Sequence, residues 1–411
     1  MENLIDDKKI LITGFGSCSA AGTSNDLWNK SLQKESCLTQ YEAFSKDFPV
    51  KYVGRVPFDL TIAKRVTPLS RHGRLGITAL KECIDSSCLD EMSNNGTGLI
   101  FGSASHGADK AEEAIKEIGT KPFSKISHHL VSSISNAGAC HLLASHFKIN
   151  GYVHSVEGAS CSGMLTVISA FNLIKSGMCE RVFSVVGEAN LYPVTFLFYN
   201  KAAKVAGKTI SFFGNNSFDR ELEDYVIPYG SPLLSNRGVI AEGGGAVLLE
   251  SLDSAIKRNA PVYGEVESVN FFFHSDNYGG KDRKLMGLTS VIEKYKNLEI
   301  DSVYLPITGC YLLDVGLYTV CSKYFKEVHT FTAEPVIGHT GAATAMINII
   351  LSIFSLKENT LLPTKNIPDK LDDVCELSPT NSPVKKSIKR ILIVSAGWGG
   401  YNGACVIKKH E

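Results

Sequence analysis

The sequence lacks any charge excess that would tie it to a polyanionic partner. Forty-two basic residues balance forty-two acidic ones over 411 positions. Neither nucleic acid nor an anionic membrane surface is indicated, although an acidic carrier protein would need only a local basic patch. There is no Cys-x-x-Cys pair, and the eleven cysteines are odd in number and scattered. That pattern speaks against zinc and against a disulfide framework. A reducing cytoplasm is the expected setting, with most thiols acting as small buried hydrophobes. The opening MENLIDDKKILITGFG is acidic where a signal peptide would be basic. No run of about eighteen or more apolar residues appears, so no membrane span is expected. No low-complexity linker and no clean internal repeat divide the chain.

What remains is an ordinary globular composition, 44% hydrophobic and 20% charged. The length allows roughly two to three domain-sized units, or one large duplicated one. Short apolar runs at 9–14, 98–103, 152–156, 181–188, 262–269, 303–308 and 390–394 read as strands. Segments 27–33, 66–84, 109–118 and 137–147 carry helical spacing. Segment 164–175, MLTVISAFNLIK, is apolar nearly all round and belongs in a core. The same holds for the helix headed by GHTGAATA. Segment 239–250 is a glycine run opening into a strand, and 365–389 reads as a polar surface excursion. Strands alternate with helices throughout, which predicts a layered α/β fold.

Three sites could carry chemistry. Cys161 stands between a strand and an apolar helix, in Gly158-Ala159-Ser160-Cys161-Ser162-Gly163. A thiol at a helix N-terminus faces unsatisfied N–H groups and the positive end of the dipole, which favours the nucleophilic thiolate. Read locally, an inert buried cysteine fits as well. His339, in Gly338-His339-Thr340-Gly341, precedes a buried helix. It could donate to a thioester carbonyl or an enolate oxygen, or simply be a satisfied core histidine. Gly397-Trp398-Gly399-Gly400 follows a strand. It could expose backbone N–H groups as an oxyanion hole, or be a tight turn around a packed tryptophan. Glu242-Gly243-Gly244-Gly245 lacks the Lys-Ser/Thr ending of a phosphate loop and leads into a strand, so that reading is rejected.

Taken in order, these motifs resemble the β-ketoacyl-acyl-carrier-protein synthase family of the thiolase superfamily. ILITGFGSCSAAG resembles its opening strand, SVEGASCSGM its nucleophile segment, GVIAEGGGAVLLES its glycine-rich strand, and RILIVSAGWGGYNGACVI its C-terminal signature. The resemblance implies two duplicated βαβαβ halves in five α-β-α-β-α layers, expected here as 1–255 with Cys161 and 256–411 with His339 and the GWGG turn. It implies no bound cofactor. The substrates would be acyl and malonyl phosphopantetheine thioesters on an acyl carrier protein. Cys161 matches the acyl-accepting nucleophile and His339 the second of the family's two histidines.

The sequence also departs from the family. Thr308 stands in the place of the first histidine, Glu334 in that of the lysine, and Trp398 in that of the gating phenylalanine. Losing one donor at a developing oxyanion costs about 3–4 kcal/mol. Glu334 adds negative potential where an enolate must form. Both changes act against decarboxylative carbanion formation. The pattern resembles the chain-length factor of type II polyketide synthases, which pairs as a heterodimer with a catalytic ketosynthase and shapes its tunnel. Such pairs make aromatic polyketides, and related pairs make aryl polyenes. Many such subunits have lost the cysteine that this chain keeps. An active condensing enzyme using Cys161 is the alternative. A thiolase acting on coenzyme A esters ranks last, because Cys405 in NGACVI reads as an inward-facing strand residue. Segment 102–129 is expected to contribute to the tunnel, and His128 and His129 are given no catalytic role.

Overall fold

The computed structural model describes residues 8–41, 50–60, 69–89, 96–127, 129–200, 203–205, 208–210, 212, 221–231, 237–275 and 285–410. His128 and the start of the expected 66–84 helix lie outside them.

Eleven strands form one hydrogen-bonded sheet. In chain order they are β1 Ile10–Cys18, β2 Thr97–Gly102, β3 Val153–Val156, β4 Arg181–Glu188, β5 Gly243–Ser251, β6 Gly264–Phe273, β7 Ser302–Tyr304, β8 His329–Phe331, β9 Ser378–Pro379, β10 Arg390–Ala396 and β11 Tyr401–Lys408. The spatial order is β9-β8-β7-β10-β11-β6-β1-β5-β4-β2-β3. The first five strands run third-second-fourth-fifth-first, and β6, β7, β8, β10 and β11 repeat that order. In each set the third and fourth strands pair parallel to the second, while the fifth pairs antiparallel to both the fourth and the first. The sets meet where β1 pairs antiparallel with β6. The duplication that no sequence repeat betrays is written in the topology.

The helices that matter here are α1 Arg71–Ser87, α2 Ala108–Thr120, α3 Asn136–Phe147, α4 Ser162–Lys175, α5 Pro193–Asn200, α6 Met286–Ile292, α7 Tyr311–Tyr324 and α8 Thr344–Glu358. Each strand set is apolar on both faces, which explains why its strands read as continuous apolar runs. Phe183 and Val185 of β4 face an outer core with α1 and α3, whereas Val182 and Val186 face the central core. In the second set, Leu392 and Val394 face α6 and α7, whereas Ile391 and Ile393 turn inward. The central core also holds α4 and α8. The layers therefore run α-β-α-β-α, the thiolase arrangement. Gly341–Glu358 is long and apolar enough to cross a membrane by length and composition, but 89% of it is buried between the layers.

Three expectations change in detail. The 303–308 strand is cut to Ser302–Tyr304, because the chain leaves the sheet to enter the site. Segment 365–389 is more than a surface excursion: Cys375 and Leu377 join the outer core, and β9 pairs with β8. The glycines of 243–245 lie within β5 itself.

Candidate active site

The repeat places the site. In each half a connection leads from the third strand through a turn into a central helix; in the second half it also holds the short helix Glu334–Ile337. In the first half that turn carries Cys161 before α4; in the second it carries His339 before α8. Two more turns come from the second half: Thr308 lies between β7 and α7, and Gly397–Gly400 lies between β10 and β11.

Close backbone approaches hold these turns together. A Cβ on Gly163 would lie 2.3 Å from the Ala342 carbonyl oxygen. One on Gly397 would lie 2.6 Å from the Gly158 carbonyl oxygen and 3.0 Å from the Cys161 nitrogen. Only glycine permits such contacts. The GWGG turn thus rests on the Cys161 turn, and the Gly341–Ala343 turn rests on α4.

Cys161 occupies the expected helix N-terminus, but the expected thiolate is not favoured. The side chain is fully buried in the central core. Burial pushes the thiol up to about 12, and a hydrogen bond from Ser395 only partly offsets this. Desolvation outweighs the helix end because no cation faces the sulfur among its described partners. The Cys161 N–H is also occupied, donating to the Gly158 carbonyl at 2.9 Å.

His339 is fixed by its backbone. Its N–H donates to the Val239 carbonyl at 2.7 Å, and its carbonyl accepts from the Ala241 N–H at 2.9 Å. The imidazole lies near the rings of Tyr199 and Phe212, with centroids 6.3 and 6.0 Å away. Its Nδ1 is 3.7 Å from Oε1 of Glu334, and both residues are buried. The Thr332 hydroxyl donates to the other Glu334 oxygen, Oε2.

Thr308 reaches the site, but its hydroxyl is spent. It donates to Asp314 Oδ1 at 2.8 Å, and Asp314 also accepts the backbone N–H groups of Thr308, Gly309 and Cys310. Asp314, on the first turn of α7, thereby satisfies the donors of the turn before the helix.

These turns enclose a cavity lined by Ser160, Thr308, His339, Ala396, Phe198 and Trp398, among others. It has about 40 Å3 open to water-sized groups, enough for a few waters and too little for an acyl chain. Phe198 of α5 and Trp398 meet edge to face at 5.6 Å, and both reach solvent. Among the described residues, no Lys or Arg lines the cavity. Glu188 is buried at the end of β4, takes the Ala104 N–H at 2.7 Å, and is pushed up by burial to about 7.

The structure therefore brings Cys161, His339, Thr308, Glu334 and Trp398 into one neighbourhood. Sequence reasoning missed Ser160, Tyr199, Ser395 and Asp314. Asp314 was findable, as an acid at a helix start just after Thr308. Tyr199, whose hydroxyl pairs with Ser160, gave no signal.

The fold and these turns define a thiolase-superfamily condensing-enzyme architecture. The β-ketoacyl synthase N-terminal domain profile matches residues 7–255, and the chain belongs to the β-ketoacyl synthase family. It is 22% identical to the polyketide biosynthesis malonyl-ACP decarboxylase PksF of Bacillus subtilis, over 98% of this chain and 97% of that protein. It is likewise 22% identical to 3-oxoacyl-[acyl-carrier-protein] synthase 1 of Escherichia coli, over 98% and 99%. Among solved structures, the ishigamide ketosynthase/chain length factor superposes with a TM-score of 0.84 at 18% identity, covering 98% of this chain and all of that one. A type II polyketide synthase complex, AntDE with its carrier protein AntF, superposes with the same score and identity.

Proposed function

We propose that this chain is the chain-length-factor-like subunit of a type II polyketide synthase. It pairs with a catalytic ketosynthase, helps to shape the chain's tunnel, and does not make the carbanion itself. One observation carries the reading: the group in the first histidine's place, Thr308, has its only proton committed to Asp314. A malonyl unit losing carbon dioxide would find one imidazole, His339, with a carboxyl rather than an ammonium group beside it. The edge strand β3 pairs with β2 on one side only, and its part-exposed free edge suits a second thiolase-fold chain. The growing chain would be carried on phosphopantetheine of an acyl carrier protein, with no resident cofactor.

The retained Cys161, and relatives named as 3-oxoacyl synthases, favour a second reading: a condensing enzyme that acylates Cys161. Expression alone and beside the ketosynthase encoded with it separates the two. The first reading expects a one-to-one complex, with chain extension only by the pair. Extension by the lone protein would sink it.

A further inference from the structure

Glu334 Oε1 and His339 Nδ1 are both buried and, among the described residues, find no hydrogen-bond partner, yet they face each other at 3.7 Å. Two buried polar atoms left without partners are costly, and each is the other's natural partner. Closing the gap by less than an ångström makes a carboxyl–imidazole hydrogen bond. Such contacts often run long in empty sites and tighten when substrate arrives. Glu334 is itself held, because the Thr332 hydroxyl occupies its second oxygen. His339 also lines the cavity, which has room for water.

We propose that Glu334 and His339 form a general-base dyad that hydrolyses acyl thioesters, with Glu334 as the positioning residue. Glu334 accepts a hydrogen bond from Nδ1–H and so fixes the tautomer with a free Nε2 lone pair. Nε2 takes a proton from a cavity water as the water oxygen adds to the thioester carbonyl carbon. The tetrahedral oxyanion collapses, the C–S bond breaks, and the imidazolium returns its proton to the departing thiolate. The products are a carboxylic acid and a free phosphopantetheine thiol, and no co-reactant beyond water is needed. The substrate class follows from the lining. With no Lys or Arg among the described lining residues, a malonyl carboxylate finds no counter-ion in them, so uncharged acyl groups are preferred. Phe198 and Trp398 must part to admit them. This activity belongs to the lone chain and does not depend on the pairing role.

The test uses the purified full chain with butyryl-pantetheine and malonyl-pantetheine, following release of the free acid by chromatography. Butyryl-pantetheine is expected to be hydrolysed above the buffer rate, and malonyl-pantetheine at least about tenfold more slowly. His339→Ala should abolish the reaction, and Glu334→Gln should lower kcat about 100-fold with KM unchanged, within the range of general-base contributions. Glu334→Asp should recover part of kcat, and matched circular dichroism keeps misfolding out of the reading. Wild-type hydrolysis at the buffer rate or a Glu334→Gln variant with unaltered kcat would each overturn the dyad, and equal hydrolysis of the malonyl ester would overturn the substrate preference. None of these results touches the pairing role, which copurification decides.

Discussion

The two repeats put their chemistry at corresponding places, and they treat it in opposite ways. In the first half the backbone of the Cys161 turn is fully constrained. Its N–H is bonded, Gly397 of the neighbouring turn presses against it, and the thiol lies in the central core. In the second half the backbone frame is equally firm, but the side chains are rewired: Thr308 is bound to Asp314, and Glu334 is turned toward His339. Packing fixes where a site forms, while reactivity rests on the few side chains that face the cavity. A site of this kind can keep its shape and still change what it does.

The sharpest way to break the comparison is through the thiol. Burial lifts Cys161 from 9.0 to about 12, so at pH 8 its thiolate population is about a thousandfold below that of an unperturbed thiol, at tenfold per pKa unit. Iodoacetamide labelling read by peptide mass spectrometry should therefore modify the exposed Cys88 early and Cys161 late, with the other fully buried thiols. The sign for stability follows: a folded-state value above the ordinary one makes this contribution complete below about pH 9 and lost as pH rises toward 12. Fast labelling of Cys161 at pH 8 would mean that the site opens and that the first half is as reactive as its position promises.

How much of this was legible in the sequence follows the same division. Apolar runs showed most of the sheet, because strands buried on both faces carry no polar alternation to obscure them. Strand β8 escaped notice because three residues, His329–Phe331, cannot show a period. Helix α5 was missed because its exposed face is as apolar as its buried one: Val194, Leu197 and Phe198 are all exposed. At the site, the positions of Cys161, His339, Thr308, Glu334 and Trp398 were readable from motif order. Their states were not. The depth of burial of Cys161 is not encoded within a few residues of it, because it is set by turns that meet only after the two halves close. The commitment of the Thr308 proton is local, to Asp314 six residues on, and went unread because only the folded turn brings the two side chains together.

The rewired half can be tested by restoring it. Thr308→His combined with Glu334→Lys replaces a spent hydroxyl with an imidazole and a carboxyl with a cation. Malonyl-thioester decarboxylation, followed as carbon dioxide release, should rise about 100-fold over wild type, the effect of one oxyanion donor. Thr308→His alone should give much less, because Glu334 still faces the developing charge. A double variant no better than wild type would place the block elsewhere, in access past Phe198 and Trp398.

The packing frame makes a smaller, structural prediction. In Gly163→Ala the new methyl meets the Ala342 carbonyl oxygen at 2.3 Å, a backbone atom that cannot swing away. The two turns must separate, at a cost of about 2 kcal/mol of stability, as in other overpacked sites. Thermal unfolding measures it. An unshifted midpoint would show that the halves meet less tightly than their turns indicate.

The smallest effect concerns Asp314, the residue that decides what Thr308 can do. Asp314→Asn keeps the shape but replaces an anionic acceptor of three backbone N–H groups and one hydroxyl with a neutral amide, one end of which is a donor. Denaturant unfolding should register a loss of about 1.5 kcal/mol, the lower end for hydrogen bonds to charged groups. The functional readout is the more instructive one. If commitment of the Thr308 proton were the whole of the block, releasing it would raise decarboxylation. A threonine side chain is shorter than an imidazole and cannot carry its charge, so the expected result is lost stability with no gain in carbon dioxide release. A gain would show that a single hydroxyl, once freed, suffices beside His339, and that the second half is closer to condensing chemistry than its residues indicate.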